Sequence, residues 1–194
     1  MEPVERRRHQ LHDDGHPSGE GGMTIRTTRL RLEPARLADL EAFERDGEAG
    51  LLRALDVQAV DGWAGSDALE AVGRSAAFLR EHPHAAAWWM HLFFDAADGR
   101  LIGLGGYKGA PASGFVEIGY ELAPSVRGRG LATEAARGMV DHAFAQPEID
   151  HVVAHTLPEE NASVAILRRL GFHLDDVVED EDVGAVWRWR LNRA

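Results

Sequence analysis

The chain contains no cysteine. That absence excludes a disulfide framework, a thiolate nucleophile and any cysteine metal site, and it fits a reducing cytoplasm. Lysine is nearly absent as well. Lys108 stands alone against twenty arginines, and with abundant alanine, glycine and aspartate this reads as the codon bias of a GC-rich genome. A basic surplus is also missing. The formal charge is −11, whereas a nucleic-acid surface needs a basic stripe to neutralise phosphates, so no nucleic acid is expected as a partner. No apolar run approaches the roughly 20 residues of a membrane span, and no signal-peptide core follows the early arginines. The expected location is therefore the cytoplasm, with no membrane contact.

What is present suffices for one core. With 194 residues and 44% hydrophobic content the chain reads as a single folded domain. Residues 1–22, MEPVERRRHQLHDDGHPSGEGG, hold charges of both signs, histidines and glycines but almost no apolar side chains. They cannot offset the entropy of ordering, so a disordered tail is expected there and a folded domain over residues 23–194. Arg6-Arg7-Arg8 lies beside acidic neighbours and reads as solvated tail. Met23 is an alternative start, because the codons for Glu20-Gly21 read GARGGN and can hold a purine-rich ribosome-binding sequence. Mass spectrometry of the native protein separates the two starts.

Periodicity orders the rest. TIRTTRLRLEP reads as a strand ended by Pro34, and LADLEAFERDG as a helix with Leu37, Leu40 and Phe43 on one face, stopping near Gly47. LLRALDVQAV and SDALEAVGRSAAFLREH are two further helical patterns, the second with Ser66 as N-cap, and Pro83 closes the region. AAWWMHLFFD and RLIGLGGYK read as strands around the turn signal Asp98-Gly99. In GFVEIGYEL, Val116, Ile118, Tyr120 and Leu122 share one face and Glu117, Gly119 and Glu121 the other. HVVAHTL is a strand, NASVAILRRLGF a helix ending at Gly171, and AVWRWRL a final strand. The order predicts a mixed α/β layer protein rather than a doubly wound fold.

One junction carries chemistry. In SVRGRGLATEAARGMVDHAFA, residues 125–145, Gly128 and Gly130 precede an apolar helical repeat of Leu131, Ala132, Ala135, Ala136, Met139, Val140, Ala143 and Phe144. Each glycine would cost roughly 1 kcal/mol inside a helix, so both belong to the loop before it. A helix start offers free N–H groups and about half a positive charge, and Arg127 and Arg129 add more, which suits a phosphate or pyrophosphate. The stretch lacks the Gly-Lys-Ser/Thr of a nucleoside triphosphate loop and the spacing and βαβ context of a dinucleotide fold.

VEIGYEL, Pro124, RGRGLATEA and, some thirty residues on, NASVAILRRLGF together resemble the GNAT acetyltransferase superfamily. The likeness is closest to the branch with the enzymes that acetylate ribosomal-protein N-termini, and it covers approximately residues 24–191. TTRLRLEPARLADLEAF resembles that branch's opening strand and helix. The resemblance implies a single-domain α/β fold with a mostly antiparallel mixed sheet, helices on both faces and a splayed strand pair at the cofactor site. It implies acetyl-CoA as cosubstrate, with the amides of Arg127, Gly128, Arg129, Gly130, Leu131 and Ala132 around the pyrophosphate. Leu122 would pair with the pantetheine arm, and Asn161 and Ser163 would lie near the pantetheine and thiol. Two positions depart from the pattern: Ser125 replaces the frequent Gln or Arg, and Arg168 stands where many members carry a tyrosine assigned to protonating the thiolate.

Transfer to an amine needs a base and donors for the thioester oxygen, and without cysteine the attack is direct. Glu117 is the favoured base, or else a solvated strand carboxylate, with Glu121 as the alternate. Ser163 would donate to the thiolate or cap its helix, and Asn161 would contact ligand or do the same capping. His151 and His155 share a strand face without a third ligand, so no metal is expected. His155 remains a candidate active-site group, and His142 a favourable partner for its helix dipole. Trp63 is the tryptophan placed nearest an acceptor pocket. The implied activity is acetyl transfer to a primary amine, a protein N-terminus or a small molecule, and an acidic protein suits a cationic acceptor. Alternatives are transfer of another acyl group such as succinyl, or an acyl-CoA-binding sensor or pseudoenzyme. A homodimer is compatible with the fold.

Overall fold

The computed structural model describes residues 24–180 and 183–194. The tail and both candidate starts lie outside them. Eight strands are described: β1 (Ile25–Arg26), β2 (Leu30–Pro34), β3 (Met90–Asp95), β4 (Leu101–Tyr107), β5 (Phe115–Leu122), β6 (His151–Thr156), β7 (His173–Asp180) and β8 (Gly184–Asn192). The helices are α1 (Leu37–Leu55), α2 (Ser66–Glu81), α3 (Leu131–Phe144) and α4 (Ala162–Leu170). They form one sheet in the order β1-β2-β3-β4-β5-β6-β8-β7. Every neighbouring pair is antiparallel except β5 and β6, which α3 joins as a crossover. That parallel pairing is short: Phe115, Val116 and Glu117 face His151, Val152 and Val153. Beyond Glu117, β5 continues to Leu122 paired only with β4, so the two strands splay as expected.

The sheet buries both faces. On one side Leu131, Ala135, Met139 and Ala143 of α3 and Val164 and Leu167 of α4 pack on Val116, Ile118, Leu122 and Val152. On the other, Leu40 and Leu51 of α1 and Val72, Ala76 and Leu79 of α2 pack on Leu92, Phe94 and Leu104. Each fully covered leucine or methionine contributes about 1.5–3 kcal/mol relative to exposure. Among the described residues no helix is long and apolar enough to cross a membrane.

Several local readings change. TIRTTRLRLEP is two strands, because Thr27 turns the chain and its hydroxyl accepts from the Leu30 N–H at 3.1 Å. The first helical pattern and the opening LLRAL of the second form one span, α1, broken locally at Gly47 (φ 64°), and residues 56–60 of the second pattern lie beyond its end. Ser66 begins α2, and the cap position belongs to Gly65. Trp88 and Trp89 precede β3 instead of joining it, since Pro83–Trp88 forms a 3-10 turn. HLDDVVED, unassigned in the sequence reading, is the edge strand β7, and its pairing with β8 overrides the weak strand preference of its acidic residues.

Candidate active site

The loop between β5 and α3 places two glycines with positive φ, Gly128 (74°) and Gly130 (77°), directly before Leu131. A Cβ on Gly128 would meet nothing within 4 Å, so the left-handed backbone, not crowding, calls for glycine there. Gly130 occupies the cap position of α3 and offers no side-chain acceptor to the first amides. By contrast, Asn161 caps α4, its Oδ1 accepting from the Val164 N–H at 3.0 Å. The α3 amides thus remain available to an anion, while those of α4 are partly spoken for. Arg29 braces this corner through an ion pair with Glu134 at 2.6 Å and a hydrogen bond to the Arg129 carbonyl at 2.9 Å. Burial acts to raise the Glu134 carboxyl, yet hydrogen bonds from Thr27 and Arg29 hold it below the usual carboxylate range.

A cavity of about 540 Å³ opens over this loop. Leu122, Arg127, Gly128, Gly130, Leu131, Ala132 and Ser163 line it, all of them sequence candidates. Arg129 and Asn161 are not among its lining residues. Arg127 donates from Nε to the Leu122 carbonyl at 2.9 Å, tying the basic loop to the splayed end of β5. Ile166 and Arg169 join Ser163 through one face of α4, a contribution visible in the sequence only as i, i+3 spacing.

A second cavity, about 490 Å³, lies against α2 and strands β3 to β5. Ala68, Ala71, Met90 and Leu104 make it largely apolar, Trp89 closes one wall, and Gly105, Gly106 and Gly119 leave its sheet side bare. Arg74 and Lys108 supply its cations. Tyr120 and Glu121 line both cavities. The Gly65 N–H donates to Glu121 Oε1 at 2.9 Å, which fixes that carboxylate at the junction.

The two carboxylates of β5 therefore differ in place. Glu117 shares a face with Glu121 but lines neither cavity. Its Oε1 contacts Lys108 Nζ at 2.5 Å and His155 Nδ1 at 3.0 Å, a small polar cluster joining the residue after β4 to β5 and β6. Trp63 is 1% exposed and donates from Nε1 to Glu48 at 2.6 Å; it belongs to the core, and Trp89 takes the pocket position. Arg168 is held by Glu160 at 2.6 and 2.8 Å and lies over the Trp189 ring, and it does not line the first cavity. His142 accepts or donates at 2.9 Å with the Tyr107 hydroxyl. Burial pushes the Tyr120 phenol up to about 12, with the Ser163 side chain pulling the other way. Among the described residues no group of acidic, histidine or cysteine side chains could hold a metal.

The comparisons with known proteins agree with this architecture. A stretch of 99 residues is 33% identical to "Probable N-acetyltransferase YjcK" of Bacillus subtilis (strain 168), covering 48% of this chain and 54% of that protein. The chain thus spans about half the length of that curated relative. RimL, a ribosomal L7/L12 alpha-N-protein acetyltransferase solved in complex with coenzyme A, superposes with a TM-score of 0.61 at 20% identity over 88% of this chain and 98% of its own. The microcin C7 self-immunity acetyltransferase MccE, solved with acetyl-CoA and AMP, gives 0.59 at 15% identity over 86% and 94%. At these identities the two structures bear on the fold. The family model for the acetyltransferase (GNAT) domain matches residues 29–173, well over half of the chain, and the protein belongs to that family.

Proposed function

We propose that this protein is an acetyl-CoA-dependent N-acetyltransferase, binding its cosubstrate in the first cavity and a primary amine in the second. The observation that carries this reading is the meeting of the two cavities at Tyr120 and Glu121, with a glycine-built, uncapped helix start at the far side of the first. The donor set fits the cosubstrate. The α3 amides and the loop arginines suit a diphosphate, and the β5 edge beyond Glu117, unpaired with β6, suits an amide-bearing arm. The naming of coenzyme A and acetyl-CoA in the two similar structures supports the same ligand.

Acetyl-CoA, when bound, supplies an acyl group activated as a thioester. The protein's part is to hold the amine against it and remove a proton. Glu121, fixed by the Gly65 amide at the junction, is the base in this scheme, ahead of Glu117 in its cluster with Lys108 and His155. Ser163 at the first turn of α4 lies on the cofactor side. The apolar lining of the second cavity favours an amine carried on an apolar body, either a peptide N-terminus or a small molecule.

The test is thiol release. Because the chain has no cysteine, a thiol reagent reports only CoA. Acetyl-CoA at 100 times its dissociation constant should add about 2.7 kcal/mol of stability. CoA should then appear on adding peptides with free N-termini or hydrophobic primary amines. Binding without release across such acceptors favours a sensor or pseudoenzyme; no thermal shift at all refutes the cosubstrate itself.

A further inference from the structure

The floor of the second cavity is the row in which β3, β4 and β5 set Met90, Gly106 and Gly119 side by side. Two of its glycines answer to the backbone. A Cβ on Gly105 would collide with the Gly119 carbonyl oxygen, and one on Gly106 with the Trp89 carbonyl oxygen. Gly119 is different: it is not among the glycines of positive φ, and a Cβ there would meet nothing within 4 Å. Glycine weakens a strand interior, so a position with room for a side chain that carries none leaves that room to something from outside the chain.

Opposite this floor α2 presents Ala68 and Ala71, one turn apart, which project no more than a methyl group. A helix and a sheet ordinarily fill the gap between them with side chains from both. Here both surfaces are cut back, and the void is a slab. Its side wall is fixed, because Trp89 stacks on Phe78 with ring centroids 3.8 Å apart and donates from Nε1 to Ser75 Oγ at 3.1 Å. Arg74 and Lys108, both exposed, mark the mouth. Glu121, held by the Gly65 amide, marks the end that joins the first cavity.

Building on the transferase reading above, we propose that the acceptor is a primary amine on a short linker to a planar aromatic ring, with the ring in the slab over Gly119 and against Trp89 and the amine at Glu121. Gly119 and Glu121 are next neighbours on one face of β5, roughly 6.8 Å apart along the strand, so about two carbons join such a ring to such an amine. A flat ring lies between two bare surfaces and gains from the indole beside it, whereas a saturated ring of the same skeleton is too thick for the gap. A free amine such as 2-phenylethylamine and a peptide beginning with phenylalanine both carry this fragment.

The experiment measures kcat/KM for CoA release with two matched pairs, 2-phenylethylamine against 2-cyclohexylethylamine and a peptide beginning with phenylalanine against one beginning with cyclohexylalanine. The aromatic member should be favoured at least about tenfold. A preference confined to the free amines makes the acceptor a small molecule, and one confined to the peptides makes it a protein N-terminus; either supports the planar fragment. Gly119→Val fills the slab and should bring the ratio close to one, and Gly119→Ala, with a single methyl group, should lower it part of the way. Stabilisation by acetyl-CoA, bound in the cavity that Gly119 does not line, shows that each variant is folded. Equal rates within both pairs, or a wild-type ratio kept in both variants, overturns the proposal and leaves the transferase reading standing. If acetyl-CoA binds and no amine of any shape releases CoA, the transferase reading falls and this one with it.

Discussion

His91 gives the protein a measurable weakness to acid. It is on β3, 0% exposed, with Nδ1 facing the Trp89 carbonyl oxygen at 3.1 Å and Nε2 without a partner among the described residues. Burial lowers its imidazole to about 4, against the Trp89 hydrogen bond, and neighbouring His142 adds to the lowering. The folded state therefore refuses a proton that the unfolded chain accepts near about 6.5. For a base whose folded value is depressed, the contribution is intact above the unfolded value and is lost as pH falls from about 6.5 toward about 4. The full span of about 2.5 units corresponds to about 3 kcal/mol, and about 2 kcal/mol of it is lost between pH 7 and pH 5. For a chain of this size that is a fall of about 4–8 °C in Tm. His142, also lowered by burial, loses stability in the same direction. Urea unfolding at pH 7, 6 and 5 of the wild type and of His91→Asn separates this from general acid effects. Asparagine keeps a donor for the Trp89 carbonyl and does not titrate, so the wild type should lose about 2 kcal/mol relative to the variant over that range. Parallel curves would refute the assignment of this slope to His91.

Glu121→Gln keeps an acceptor for the Gly65 amide and removes the base; kcat should fall on the order of 10²-fold or more with acetyl-CoA affinity held, whereas Glu117→Gln should stay within a few-fold. Equal losses would return the base to Glu117. Gly128→Ala has room for its methyl group but strains the positive-φ loop by about 1–2 kcal/mol. Calorimetry should show acetyl-CoA binding weakened at least about tenfold, the equivalent of 1.4 kcal/mol. At Gly119 a Cβ would also meet nothing within 4 Å, and the residue borders the second cavity. Gly119→Val should leave acetyl-CoA affinity and Tm nearly unchanged while raising KM for bulky amines more than for methylamine-sized ones; a uniform effect would place the acceptor elsewhere.

The parts written in local periodicity were legible in the sequence. The α3 start could be read because two glycines cannot continue a helix that the next fourteen residues form. The faces of β5 could be read because alternation needs no knowledge of neighbours. Strand β7 could not, because HLDDVVED has no clean alternation and its order comes from Val177 opposite Trp187 and Val178 opposite Val186. The relative standing of Glu117 and Glu121 was equally hidden. Both point the same way from one strand, and only Lys108, His155 and the distant Gly65 distinguish their surroundings. Alternation placed Tyr120 on one face of β5 with Val116, Ile118 and Leu122, but that its hydroxyl meets Ser163 beside the first cavity depends on where α4 packs.

The brief parallel pairing of β5 with β6 has a mechanical side. Three residue pairs stitch a five-stranded half, β1 to β5, to a three-stranded half, β6 to β8. The first cavity straddles that seam, drawing walls from β5 and α3 on one side and from α4, which follows β6, on the other. Under the proposed reading, a ligand filling it spans both halves and covers the β5 backbone edge that β6 leaves unpaired beyond Glu117.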